Sequence, residues 1–216
     1  MGDPTRAQML FDLLEGREFS ASELAYRGGA SAQAASAHLS KLVDGGLLKV
    51  RSMGRQRLFR LASTRVAEVI ETLASIAPVA PISSLTQQTK MQQLRQARSC
   101  YDHLAGRLGV AVTDSLLRLG AIVERDNSFH LTADGGSIFK GFGVDVALLS
   151  SQRRSLVRAC MDWTEQRWHV AGSIGASLLE RFIEDRWIER NTADRALRVT
   201  AMGCAQLSRV FGVIHP

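Results

Sequence analysis

The sequence predicts a mainly α-helical protein with short β-hairpins, in which an N-terminal domain precedes a longer part with internal repeats. Three observations predict this fold class. Apolar residues recur at helical spacing through most of residues 1–77. Capping residues and glycines divide the same stretch into short elements. Several motifs of residues 85–147 return in the same order in residues 148–216.

The composition narrows the class of protein. The 216 residues are 45% hydrophobic and carry a net charge of +6, which suits a globular protein that binds nucleic acid. No apolar run approaches the ~18 residues that cross a bilayer, and no signal-peptide pattern opens the chain. We therefore expect a cytoplasmic protein with no membrane partner. The distant Cys100, Cys160 and Cys204 argue against a disulfide scaffold.

Residues 1–77 divide into a helix, a helix-turn-helix, a hairpin and a last helix. Asp3 is placed to cap the first helix, Ser20 opens a capping box, and Ser31 precedes a helix that ends at a glycine pair. Apolar and basic residues then alternate on either side of a glycine, which predicts a hairpin. Residues 63–77 predict the last helix. This order is that of a winged helix-turn-helix.

The third predicted helix and the hairpin have the composition of a DNA-binding surface. The outer helix face is small and polar, with no acid between Ser31 and Val43. Such a face can lie in a major groove, and a basic hairpin can contact phosphates or the minor groove. Seven basic residues against one acid between Lys41 and Arg65 favour this interpretation. The alternatives are a solvated surface and a module that binds a partner other than DNA.

The segments DPTRAQMLFDLL and SASELAYRGGASAQAASAHLSKLVDGGLLKVRSMGRQRLFRLA resemble the ArsR/SmtB-type repressors of bacteria, over residues 2–77. The resemblance implies a homodimer on a palindromic operator in double-stranded DNA, and an effector that changes DNA affinity. It implies base-facing positions at Ser31, Gln33, Ser36 and Ala37, and a wing formed by Arg51, Arg55 and Arg57. Ser40 and Lys41 complete the predicted DNA-binding set.

The sequence departs from the family's best-known metal sensors at one place. Their cysteine cluster lies on the helix before the recognition helix, where Ser22–Tyr26 hold no thiol. Further along, Pro78 and Pro81 predict a linker, because proline lacks an amide donor and restricts the residue before it. The predicted domains are residues 1–77 for DNA binding, the linker 78–84, and two repeats at 85–147 and 148–216.

The duplication rests on four pairs of matching motifs. RSCYD at residues 98–102 matches RACMD at 158–162, and an HxAGxxG motif follows each of them. LTADG matches VTAMG downstream, and FGV recurs after both. We expect two winged-helix-like repeats that face each other about a pseudo-twofold axis. An apolar stripe from Met91 to Leu108 predicts that the first motif lies on a helix.

The repeated motif is the candidate effector site. The two repeats that carry it are expected to sense an effector or to stabilise a dimer. Cys100 and His103, three residues apart on the predicted helix, can share one ion with Cys160 and His169. Two thiolates and two imidazoles suit zinc or cobalt, although no cofactor is required for the DNA-binding role. The residues expected around these ligands are Asp102, Asp162, Tyr101 and Trp163.

Other interpretations of the motif stay open. It can be core architecture, with Arg98 and Arg158 paired to aspartates of the opposite repeat. An aromatic cleft beside it can bind a small organic effector. Cys100 and Cys160 can form a disulfide if the repeats bring them together. An enzyme is not expected, because no oxyanion-hole loop or glycine-rich phosphate loop accompanies the cysteines and histidines.

Overall fold

The computed structural model describes residues 2–77, 84–191 and 194–213. The chain divides into two compact units, residues 1–74 and residues 75–216, which we call the N-terminal unit and the C-terminal unit. Residues 78–83 of the predicted linker lie outside the described ranges. Within those ranges, no helix combines the length and the apolar character that crossing a membrane requires.

The N-terminal unit has the element order of a winged helix-turn-helix, as predicted. Its elements are α1 (Pro4–Leu13), β1 (Phe19–Ser20), α2 (Ala21–Arg27), α3 (Ala32–Asp44), β2 (Leu48–Met53), β3 (Gln56–Leu61) and α4 (Thr64–Ile76), of which the last two residues belong to the C-terminal unit. The three strands form one antiparallel sheet in the order β1-β3-β2. The hairpin of β2 and β3 is the wing, and it pairs Leu48 with Leu61 at its base and Met53 with Gln56 at its tip.

The predicted helix caps are confirmed. The Asp3 carboxylate and the Ser31 hydroxyl each accept a hydrogen bond from an amide in the first turn of their helix. Ser20 and Glu23 form the predicted capping box, in which the Glu23 carboxylate accepts from the Ser20 amide at 2.8 Å. These caps fix where α1, α2 and α3 begin. The apolar side of α3 is buried through Ala35, Leu39 and Leu42, which leaves its opposite side outward.

The C-terminal unit repeats one order of elements: hairpin, helix, hairpin, helix. After α5 (Leu85–Gln96), the first half holds β4 (Arg98–Cys100), β5 (His103–Ala105), α6 (Gly106–Arg118), β6 (Ile122–Arg125), β7 (Ser128–Leu131), α7 (Gly135–Gly141) and α8 (Val146–Ser150). The second half holds β8 (Arg158–Met161), β9 (Trp168–Ala171), α9 (Gly172–Glu184), β10 (Ile188–Arg190), β11 (Leu197–Val199) and α10 (Ala201–Phe211). Each hairpin is a two-stranded antiparallel sheet.

The prediction that Cys100 and His103 lie on a helix is wrong. Helix α5 ends at Gln96, and the chain continues as the β4–β5 hairpin, which turns at Tyr101 with a left-handed φ of 59°. All six strand residues of this hairpin are buried. The two strands are short and buried on both faces, so they lack the alternation of apolar and polar residues that marks a half-buried strand, and the helical spacing of apolar residues from Met91 to Leu108 runs across them.

The two halves of the C-terminal unit share one hydrophobic core. Aromatic and aliphatic side chains from both halves pack in a single cluster, which includes Leu108, Leu116, Phe129, Phe139, Ile174, Leu179, Phe182 and Phe211. Trp168 and Trp187, two aromatics that could have lined an organic-effector cleft, pack against this cluster. The β4–β5 and β8–β9 hairpins, which carry the repeated motif, therefore belong to one folded body.

Candidate functional site

The predicted DNA-binding residues all lie on exposed surface of the N-terminal unit. Those on or beside α3 are Ser31, Gln33, Ser36, Ala37, Ser40 and Lys41, and those on the wing are Arg51, Arg55 and Arg57. The wing turns at Gly54, whose φ of 61° suits a residue without a side chain. The arrangement gives a small, polar helix face and a separate cationic hairpin, the two parts that a winged helix-turn-helix offers to a duplex.

Glu18 modifies the charge of the wing, and sequence reasoning did not identify it. Its carboxylate accepts two hydrogen bonds from Arg51, from Nη2 at 2.6 Å and from Nε at 2.9 Å. Arg60 Nε lies 3.8 Å from the same carboxylate. The hydrogen bond from Arg51 holds the pKa of Glu18 below its usual value. The charge of Arg51 is therefore partly compensated, whereas no local pattern in the sequence links two residues that lie 33 positions apart.

The four predicted metal ligands of the C-terminal unit come together. Cys100 faces His103 across the first hairpin, and Cys160 faces His169 across the equivalent hairpin of the second half. Equivalent residues of the two halves then meet: the two sulfurs lie 3.8 Å apart, and the two Nε2 atoms lie 3.1 Å apart. All four side chains are buried, and their ligand atoms lie within 4.8 Å of one another.

These distances fit a tetrahedral ion. Bonds of about 2.3 Å to sulfur and about 2.0 Å to nitrogen place two sulfurs about 3.8 Å apart and two nitrogens about 3.3 Å apart. The observed separations of 3.8 Å and 3.1 Å are close to both values. The remaining pairs of ligand atoms lie at most 4.8 Å apart, so binding of one ion would require them to approach by up to about 1 Å. The ligand set is thus nearly assembled by the fold itself.

Two glycines of the HxAGxxG motif allow the halves to approach at this point. A Cβ atom on Gly109 would lie 2.6 Å from the carbonyl oxygen of Leu104, and one on Gly175 would lie 2.6 Å from the corresponding oxygen of Val170. The same positions face the Cβ atoms of His169 and His103, respectively, at 3.8 Å and 3.2 Å. Each helix that follows a histidine strand therefore packs closely against the histidine of the other half.

An aspartate stands behind each histidine. Asp102 Oδ1 accepts a hydrogen bond from His103 Nδ1 at 3.2 Å. Asp162 Oδ2 lies 3.6 Å from His169 Nδ1, and that nitrogen makes no hydrogen bond among the described residues. A carboxylate behind a ligating histidine fixes its tautomer and orientation. Asp102 and Asp162, the two aspartates expected around the predicted ligands, thus lie next to His103 and His169.

Each aspartate is held by an arginine from the opposite half. Arg154 donates to both oxygens of Asp102, at 2.5 Å and 3.0 Å. Arg98 Nη2 lies 2.9 Å from Asp162 Oδ1, and both side chains are fully buried. The sequence singled out Arg98 as a partner of the opposite half but not Arg154. Of the remaining predicted neighbours, Tyr101 forms the hairpin turn, and the Trp163 ring lies 4.7 Å from the guanidinium of Arg98.

The electrostatics of the site favour a thiolate next to a cation. Burial disfavours a charged His103, but hydrogen bonds to Asp102 and Cys160 and their charges outweigh it and raise the pKa of His103 to about 9. The hydrogen bond from Cys100, together with His169 and His103, outweighs burial and holds the pKa of Cys160 well below its usual value. In both cases the neighbouring polar and charged groups act against the effect of burial.

Comparison with known proteins identifies the class of protein. Residues 1–51 match the family described as a helix-turn-helix domain. An uncharacterized HTH-type transcriptional regulator of Bacillus subtilis (strain 168), YdfF, is 40% identical over 203 residues, which cover 94% of this chain and 90% of that protein. This chain belongs to the HTH-type transcriptional regulators. The prediction of a helix-turn-helix transcriptional regulator is confirmed by these two matches.

Solved structures similar to this regulator match about a third of its length. A homodimeric winged helix-turn-helix DNA-binding domain from Mycobacterium bovis, a possible ArsR-family regulator, is 31% identical, with 33% of this chain and 65% of that chain covered and a TM-score of 0.30. The cadmium metal-sensor CMTR from Mycobacterium tuberculosis is 30% identical, with 38% of this chain and 90% of that chain covered and a TM-score of 0.30.

Proposed function

We propose that this regulator is a dimeric repressor whose affinity for a palindromic operator is set by a metal ion bound in the C-terminal unit. The ligands are Cys100, His103, Cys160 and His169. The observation that carries this proposal is the meeting of four buried ligand atoms from two hairpins at separations that fit a tetrahedral ion. The nine exposed residues of α3 and the wing form the proposed DNA contact.

Zinc and cobalt are the ions that this ligand set favours. Thiolate and imidazole ligands select borderline ions over magnesium, calcium and manganese, which prefer oxygen. Four protein ligands complete a tetrahedron and leave no open position for a substrate, which is typical of a structural or regulatory site rather than a catalytic one. Because two ligands come from each half, the ion would connect the two halves of the C-terminal unit.

The homodimer is supported by an apolar stripe on α4. Val69, Leu73 and Ile76 follow a helical i, i+4, i+7 spacing and are 54%, 40% and 76% exposed. Such a stripe on a helix that leaves the DNA-binding unit suits a symmetric contact between two copies of the chain. Two recognition helices related by a twofold axis would read the two halves of a palindrome.

We also infer that the two halves of the C-terminal unit derive from one duplicated winged-helix-like unit. The shared order of elements, the meeting of equivalent cysteines and histidines, and the reciprocal packing of Gly109 and Gly175 support a pseudo-twofold relation between them. An ion on that axis would bind only when both hairpins adopt their mutual arrangement. Metal would therefore stabilise that arrangement by its higher affinity for it.

The test is DNA affinity with and without metal. Fluorescence anisotropy on the DNA upstream of the regulator's own gene would be measured in chelator and thiol reductant, and then with zinc or cobalt. We expect the dissociation constant to change by about 5- to 150-fold, the usual range of coupling between two sites. Cys100→Ser and His169→Ala should abolish the change, and Cys204→Ser, at an exposed thiol, should preserve it.

The same assay separates the competing explanations. Tight, salt-dependent DNA binding with no response to metal would make the repeated motif core architecture and would favour a small organic effector. The proposed DNA contact can be tested separately through the salt dependence of binding. An arginine that neutralises one phosphate releases about one counterion when the protein binds DNA. Replacement of Arg55 or Arg57 by alanine should therefore reduce the salt dependence of binding by about one counterion. An unchanged slope would contradict the assignment of the wing.

A further inference from the structure

The two buried thiols form a pair of their own. Cys100 Sγ and Cys160 Sγ lie 3.8 Å apart, close to van der Waals contact. Their immediate apolar neighbours are two small residues, Ala105 and Ala171. A disulfide requires about 2.05 Å between the sulfurs, so the two atoms need to approach by about 1.8 Å. Small side-chain movements of two cysteines in contact can provide this approach.

The two cysteines differ from the third in position. Cys100 and Cys160 lie on separate hairpins, 60 residues apart in the chain, and a bond between them would cross-link the two halves. Cys204 lies exposed on α10 and is an internal control for general thiol reactivity. Of the buried pair, Cys160 is the more accessible, with 7% of its surface exposed against 1% for Cys100. A small oxidant would therefore meet Cys160 first.

We propose that Cys100 and Cys160 are a site of reversible oxidation by peroxide, and that a bound metal ion protects them. The Cys160 thiol gives up its proton and its sulfur attacks one peroxide oxygen; a sulfur–oxygen bond forms, the oxygen–oxygen bond breaks, and the leaving hydroxide takes up that proton to become water. The Cys100 sulfur then attacks the resulting sulfenic sulfur; the sulfur–sulfur bond forms, the sulfur–oxygen bond breaks, and the hydroxide leaves with the Cys100 proton as a second water. Two thiols lose two electrons, and one hydrogen peroxide becomes two waters.

The protection rests on the proposed metal-binding function, whereas the oxidation rests only on the sulfur geometry. An ion held by both sulfurs would occupy the electron pairs that attack peroxide. The disulfide would in turn remove two of the four ligands, so metal and oxidation would exclude each other at one place. Both would connect the same two hairpins, one through an ion and the other through a covalent bond.

The first experiment treats the full-length, metal-free, reduced protein with hydrogen peroxide. After the reaction is quenched, the protein is denatured in chelator, its free thiols are alkylated, and the intact mass is measured. We expect alkylation at one cysteine instead of three, and before alkylation a loss of about 2 Da relative to the reduced chain. Peptide mapping should join Cys100 to Cys160, and thiol reductant should restore all three alkylation sites.

Cysteine variants and peroxide treatment of the zinc-bound protein complete the test. Cys204→Ser should still lose about 2 Da, and Cys100→Ser should stop at the sulfenic acid, about 16 Da heavier than the reduced variant. Three alkylated thiols, sulfinic acid products or dimers linked through Cys204 in the wild type would overturn the oxidation proposal. Prior addition of zinc should slow disulfide formation by about tenfold or more, because the coordinated thiolates are shielded.

The two proposals fail in different ways. If cobalt produces no absorption spectrum typical of thiolate coordination but peroxide still joins Cys100 to Cys160, the metal-binding function is wrong and the oxidation site stands. If metal binds but oxidation proceeds at the metal-free rate, the protection is wrong. If metal binds and the metal-free protein forms no disulfide, the oxidation proposal is wrong and the metal-binding function stands.

Discussion

Replacement of Arg98 by methionine should destabilise the C-terminal unit strongly. The Arg98 guanidinium is fully buried, forms an ion pair with the fully buried Asp162 at 2.9 Å, and donates to the Leu94 carbonyl and the Thr164 hydroxyl at 3.1 Å. Methionine keeps much of the volume but leaves the Asp162 charge without its cation. The loss of one partner from a buried ion pair costs about 3–5 kcal/mol.

Tryptophan fluorescence during urea unfolding can measure this loss. All three tryptophans, Trp163, Trp168 and Trp187, lie in the C-terminal unit, so the signal reports on that unit. With a urea dependence of about 2 kcal/mol/M, Arg98→Met should lower the midpoint by about 2 M in metal-free buffer. Each variant needs its own baselines, because Trp163 lies next to the Arg98 guanidinium.

An exposed ion pair in the same unit is the matched control. Arg167 donates to Asp114 through two hydrogen bonds, but the two side chains are 57% and 31% exposed. Arg167→Met should therefore cost less than about 1 kcal/mol and move the midpoint by less than about 0.5 M. Equal midpoint shifts for the two variants would refute the reasoning, because burial would then have no influence on the cost.

Three further predictions concern close packing, the wing and a helix cap. Gly109→Ala should weaken cobalt binding by about tenfold or more in a spectroscopic titration, because the new Cβ displaces the helix that faces His169. Gly136→Ala is the control and should leave cobalt binding unchanged, because a Cβ there meets nothing within 4 Å. Glu18→Gln should strengthen DNA binding and steepen its salt dependence by about one counterion, because it frees Arg51; an unchanged slope in the anisotropy assay would contradict this. The pKa of Glu23 is lowered, chiefly by the hydrogen bond from the Ser20 amide. The ionised form of Glu23 therefore stabilises the N-terminal unit at pH values above its unfolded pKa of about 4.5. This stability is lost as the pH falls from there through the lower folded pKa. Far-UV circular dichroism during urea unfolding should show a smaller pH dependence in Glu23→Gln, and equal pH dependence in both proteins would contradict the assignment.

The N-terminal unit was predictable because its signals are local. Asp3, Ser20 and Ser31 are caps that act within four residues, and the hairpin is marked by alternation around Gly54. The Glu18–Arg51 pair was not predictable, since its partners are 33 residues apart and neither lies in a motif. Local patterns thus indicated the elements and the exposed helix face, while the charge balance of the wing depends on how the strands pack.

In the C-terminal unit, the sequence predicted which residues come together but not the secondary structure around them. The repeated sequence motif indicated which residues lie together, because its two copies bring Cys100 next to Cys160 and His103 next to His169. The secondary structure around them was predicted wrongly, since the β4–β5 hairpin is buried on both faces. The two cysteines and two histidines therefore come together across strands rather than along one helix turn, although the local structure around them was predicted wrongly.

The proposed ion would offset the free-energy cost of burying the polar groups around it. Four apolar side chains would fill the same space without desolvating polar atoms, whereas the chain buries two thiols, two imidazoles and the Arg98–Asp162 ion pair. Burial of polar groups costs free energy unless each finds a partner, and His169 Nδ1 makes no hydrogen bond among the described residues. Zinc bound by such ligands contributes about 10–16 kcal/mol in small domains, enough to offset this cost. If the proposed ion binds here, the metal-free protein should therefore be the less stable one.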